Sequence, residues 1–182
     1  MSTLTLRAKH WQVFLLTVIL LTMMHLTIED QMFLSGIMGA VGYCLYFIWF
    51  AVLGNTLFPL LPRDADYSLT WFLIDIILVA ASLSALLILV DSRSYQAEGI
   101  ATLPMLYIFF AMLHGPWFLA AALVAVEKKR KPEFGFYFGT LLLFLFWPVG
   151  VWFIQPRLNK LLEEAEWEKK ALEELGTEKQ AS

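Results

Sequence analysis

The chain has 182 residues, 59% of them apolar and 16% charged, with a formal net charge of −3 at pH 7. Soluble domains run about 45–50% apolar and about 25% charged, so a mean hydropathy of +0.67 excludes an ordinary water-soluble domain. A single cysteine, Cys44, excludes a disulfide framework or a zinc site within one chain.

Arg7 and Lys9 precede the first apolar core, and no small-residue cleavage site follows it. The segment therefore reads as an uncleaved signal anchor. Five apolar stretches follow, at 11–28, 32–53, 68–90, 100–126 and 134–154. Each reaches the length of about 18 residues that suggests a crossing of a ~30 Å hydrocarbon core. Helices are expected, because backbone polar groups in lipid must be satisfied within the segment. Glu29-Asp30-Gln31 alone separates the first two, which predicts a tight antiparallel hairpin. Residues 55–67, with Pro59, Pro62, Arg63, Asp64 and Asp66, read as the first true loop, and 91–99 as a second polar turn. The fold class expected is an all-α integral membrane protein. It has a polytopic domain of five spans over 1–156 and a charged helical tail over 157–182.

The basic run at 128–131 is the strongest orienting signal, because cytoplasmic loops concentrate Lys and Arg. With Arg7, Lys9 and Arg63 it puts seven cations on one side before the tail, against Arg93 alone on the other. A cytoplasmic N-terminus follows. A fifth crossing would place the tail outside, yet Arg157, Lys160, Lys169 and Lys170 argue for inside. Five crossings are the expectation. The alternative is that 134–154 bends at Pro148 and returns, or that one earlier segment does not cross.

The stretch 146–160, FWPVGVWFIQPRLNK, marks the boundary between apolar domain and tail. Trp147 and Trp152 have rings suited to a bilayer–water interface, and Arg157 supplies the cation beyond it. Pro148 and Gly150 allow a bend, since one lacks an N–H and the other a Cβ. Together with Lys9-His10-Trp11-Gln12, this stretch resembles a group of small multi-span bacterial membrane proteins of unknown function. The resemblance lies at the two ends of the chain and implies a topology class, with no activity attached. In the tail, Leu158, Leu161, Leu162, Ala165, Leu172 and Leu175 form a stripe at helical spacing, and Gly176 is expected to end the helix. A solvated helix at the membrane surface is the plain reading, and a docking helix for another subunit the sharper one.

Small residues recur at Ser35, Gly36, Gly39, Ala40 and Gly42, and Gly135 and Gly139 form a G-x-x-x-G. Such spacing lets helix backbones approach closely. Packing within the chain is the first expectation, and a homo-oligomer contact the second. Asp75 is the most informative residue, because a carboxylate within a span costs about 2.5–3.5 kcal/mol and calls for a partner or water. His114-Gly115-Pro116 interrupts the fourth span, where Pro116 cannot bond the Met112 carbonyl. Counted along straight helices, Asp75 lies about 10 Å and His114 about 18 Å from the cytoplasmic edge, an offset that a tilt or a bridging water could close. Asp75, His114 and Pro116 are the candidate intramembrane polar site. His25 and His114 fall at different depths, which counts against a shared haem. No phosphate loop, metal-ligand run or nucleophile motif appears.

These readings predict a non-enzymatic polytopic subunit or accessory protein without cofactor. It would assemble with other membrane subunits or with itself, in contact with lipid and not with nucleic acid. The alternative is an oligomeric ion or proton channel, or a small transporter, using Asp75 and His114.

Overall fold

The computed structural model describes residues 8–89 and 99–181, and among these the regular structure is helical, with no strand. Arg7 and Arg93 lie outside the described residues, as do the side chains of Lys169, Leu172 and Leu175. Six α-helices follow in order. They are α1 (His10–His25), α2 (Met32–Leu57), α3 (Leu69–Leu89), α4 (Thr102–Lys128), α5 (Phe134–Leu145) and α6 (Trp147–Ala181). Single 3₁₀ turns lie at Phe58–Leu60 and Gly99–Ala101. The helices are apolar on both faces: Phe72 and Val79 of α3 are fully buried, while Ile77 on the same helix is 67% exposed. A helix hydrophobic all round suits lipid or a core, not water.

Local polar groups set the ends. The Gln12 side chain accepts the Lys9 N–H at 2.9 Å, satisfying a donor that has no partner within α1. Ser35 closes the α1–α2 connection, its hydroxyl accepting the Ile28 N–H at 2.8 Å and donating to the Gln31 carbonyl at 3.1 Å. Asp30 turns the chain there in the left-handed region, at φ 60°.

Among the described residues, three helices are long and apolar enough to cross a membrane: Met32–Leu60, Leu69–Leu89 and Thr102–Lys128. The expected five spans are corrected at two places. Helix α1 has 16 residues, about 24 Å at 1.5 Å per residue. The stretch 134–154 breaks at Phe146, whose φ −98° and ψ 50° lie outside the helix. Pro148 then sits in the first turn of α6, where a missing N–H leaves no bond unmade. The two helices fold back on one another: Arg157 reaches Thr140 across 17 residues, at 3.0 Å. A Cβ at Gly150 would overlap the Leu143 carbonyl, so only glycine permits this closure.

This hairpin enters the bundle and returns. At its tip, the Trp147 indole donates to the Thr17 hydroxyl at 3.2 Å, and its ring stacks on Phe144. At its foot, the Gln155 amide donates to the Ala8 carbonyl at 3.2 Å. Arg157 forms a two-pronged ion pair with Glu127 at the end of α4, at 2.6 and 2.5 Å. The start of α1, the end of α4 and residues 155–157 thus share one end of the molecule, here the basal end. The assignment of Trp147 to a membrane boundary is corrected, because the turn carries the ring inward until it is 1% exposed. Trp152 does face outward, 46% exposed, against His10 and Phe14. Helix α6 continues past Gly176 to Ala181, so that glycine does not end it.

The core centres on the basal half of α4, where Phe118 to Ala125 are buried without interruption. Four alanines in that run let neighbouring helices approach from several sides. The other half of α4 is far more exposed, Leu103, Leu106, Phe109 and Phe110 included.

The candidate small-residue contacts divide into two groups. Gly36, Gly39 and Ala40 are buried, and a Cβ at Gly36 would stand 2.6 Å from the Leu87 carbonyl oxygen on α3. Gly135 and Gly139 meet nothing within 4 Å. Their expected packing within the chain is corrected: the G-x-x-x-G face of α5 points away from the bundle.

Candidate functional site

Asp75 lies one and a half turns into α3, its side chain only 3% exposed. Its Oδ2 is 2.6 Å from Nδ1 of His114 on α4, and its Oδ1 accepts the Tyr107 hydroxyl at 2.8 Å. The structure therefore joins two of the three candidate polar residues directly, and the offset counted along straight helices does not separate them. A close helix approach makes this possible. Gly115, next to His114, leaves room for Ile76, next to Asp75, and a Cβ there would stand 3.0 Å from the Ile76 Cδ1.

Aromatic rings hold the imidazole in place. It stacks between Phe110, at 5.8 Å and 9°, and Trp117, at 5.3 Å and 24°. The Trp117 indole N–H donates to the Tyr137 hydroxyl of α5 at 3.0 Å. With Nδ1 committed to Asp75, exchange of a proton with any other group falls to Nε2. Tyr107 was not anticipated, although it precedes His114 by seven residues and so shares its helix face. Tyr137 was not anticipated either.

Beside this cluster lies an open cavity of about 440 Å³ between α3 and α4. Asp75, Tyr107, His114 and Trp117 line its wall, and Asp66 and Tyr67 belong to its lining at the start of α3. Burial pushes the Tyr67 phenol above its ordinary range, and the nearby Tyr137 adds to the shift. Tyr67 therefore presents a neutral O–H near neutral pH.

Pro116 faces elsewhere. It lines a separate, mainly apolar cavity of about 390 Å³, with Tyr46, Phe50, Phe144 and His25. His25 and His114 thus border different cavities. Among the described residues, no group of three or more His, Cys, Asp or Glu side chains could hold a metal ion. Cys44 is exposed and lies 3.5 Å from the Ser84 hydroxyl.

Comparison of the chain with family models, with curated proteins and with solved structures yields no match to any of the three.

Proposed function

We propose that the chain is a non-enzymatic integral protein of a bacterial inner membrane that moves a proton or cation at the Asp75–His114–Tyr107 cluster, working as a small channel or transporter. One observation carries the reading: a buried carboxylate within an apolar helix bonds a histidine that borders an open cavity. Charge within a span is costly, and such residues mark ion and proton pathways. A strut between α3 and α4 needs no buried carboxylate, since apolar packing commonly stabilises as well as a buried polar pair. Imidazole also exchanges its proton near neutral pH, which phenol and amide groups do not.

The proposed topology has α2, α3 and α4 crossing at full length, and the shorter α1 running beside α2 with the bilayer thinned around it. The α5–α6 hairpin enters and returns, so that both ends of the chain are cytoplasmic. The basic loop at 128–131 and the tail cations then lie on one side, as orientation by Lys and Arg requires.

Reconstitution into vesicles containing a pH-sensitive dye tests the function. Under an imposed potential, proton flux is expected in the wild type and is expected to be lost in Asp75→Asn and His114→Ala. Absence from the wild type of both proton flux and monovalent-cation flux, the latter read with a cation-sensitive dye, or equal flux in all three proteins, would sink the reading.

A second reading, assembly as a subunit, is favoured by the open face of Gly135 and Gly139. On this reading a partner helix covers α5, and Gly139→Leu lowers the assembly mass measured by light scattering in detergent.

A further inference from the structure

We propose that the cavity between α3 and α4 binds a hydrophobic organic monocation, an amine or quaternary ammonium carried on an apolar body. The assignment rests on the reading of Asp75 and His114 as a working site and names the class of molecule that site would take.

The first argument is charge. Asp75 and Asp66 line the cavity, and no Lys or Arg is among its described lining residues. Each Asp75 oxygen carries one hydrogen bond, from His114 and from Tyr107. A carboxylate offers about four lone-pair positions, so acceptor capacity remains toward a cation in the cavity. An anion would meet two carboxylates, and the one lining side chain able to carry positive charge, His114, is already bonded to Asp75.

The walls supply the second argument. Tyr67, Trp71, Phe110 and Trp117 turn the cavity into a partial aromatic cage. Ring faces attract a cation, and they do so more strongly when water is displaced. The same walls offer little to a small metal ion, which takes several oxygen or nitrogen ligands. The described residues present no such group of three. An organic cation uses both features, its charge toward Asp75 and its apolar body against the rings. The volume of about 440 Å³ falls within the ~300–1,000 Å³ of ordinary small-molecule sites.

The opening is the third argument. Trp71, Phe110 and Tyr107 are 62%, 57% and 42% exposed, so the mouth lies on the flank of the bundle. In the proposed membrane setting an amphiphilic cation dissolved in the bilayer reaches it sideways.

Benzyltrimethylammonium is a suitable probe, with neopentylbenzene as its neutral counterpart of the same shape. Binding to the purified protein in an uncharged detergent is read by tryptophan fluorescence and calorimetry. Saturable binding of the cation is expected, with binding of the neutral compound at least about tenfold weaker. Asp75→Asn should weaken cation binding about tenfold or more, and Trp71→Leu about threefold. Trp71 is exposed, so its variant carries the test if Asp75→Asn fails to fold. Equal binding of the two compounds, or unchanged cation affinity in Trp71→Leu, would overturn the assignment. Proton flux in vesicles without cation binding overturns it too, while leaving the proposed function intact. Cation binding without proton flux upholds the site and removes the proton-moving role instead.

Discussion

At the scale of single residues, the two groups of glycines show what the same spacing does in different surroundings. Gly36 faces the backbone of α3, where a methyl group would press on the Leu87 carbonyl at 2.6 Å. A carbonyl held in a helix cannot rotate aside as a side-chain terminus can, so the helices themselves must separate. Gly36→Ala is expected to destabilise the fold by about 1–3 kcal/mol, the usual range for overpacking. Gly139→Leu should leave the stability of the monomer unchanged, because nothing lies within 4 Å. Thermal unfolding in detergent, monitored by tryptophan fluorescence, compares the two. A large loss for Gly139→Leu in a verified monomer would contradict the open face. The sequence showed both small-residue patterns but not which faced a neighbour, since apolar side chains surround each of them. Asp75 and His114 were legible as costly polar residues for the same reason that their pairing was not. Depth counted along a helix ignores how neighbouring helices tilt and approach, and here Gly115 sits at the point of approach, against the Ile76 side chain.

At the scale of elements, the α5–α6 hairpin combines features that sequence makes plain with others it hides. Pro148 and Gly150 identified the place where the last apolar stretch bends. The direction taken after the bend depends on contacts distant in sequence: Trp147 with Thr17, Gln155 with Ala8, and Arg157 with Glu127. Hydropathy carries no trace of these contacts. The Arg157 and Glu127 side chains are 31% and 28% exposed, so water and salt weaken their pairing. A double-mutant cycle with Arg157→Ala and Glu127→Ala is expected to give a coupling of about 0.5–1 kcal/mol, reduced at high salt. Gly150→Ala should cost more than either single change, because its methyl group would overlap the Leu143 carbonyl and force the hairpin open. If Gly150→Ala unfolds with the wild type, closure of the hairpin does not depend on that contact.

At the scale of the whole molecule, the returning hairpin bears on the conflict within the charge pattern. Five crossings would separate the tail cations from the basic loop at 128–131. A hairpin that returns beside the end of α4 brings Arg157 and Glu127 together, and α6 continues from that same end. The turn holding Asp30 lies at the opposite end, because α1 separates it from Ala8 and thus from the hairpin foot. Cysteine replacements at Asp30, Lys131 and Lys170 in a Cys44→Ser background convert this geometry into a measurement. Serine at position 44 retains a hydrogen-bonding group beside Ser84, and all three labelling sites are exposed. In intact cells a membrane-impermeant maleimide should label Asp30→Cys. Lys131→Cys and Lys170→Cys should react only after the membrane is opened. Labelling of Lys170→Cys in intact cells while Lys131→Cys stays protected would mean that residues 134–154 cross after all. The hairpin would then have to open in the bilayer, and the contact between Arg157 and Glu127 could not form there.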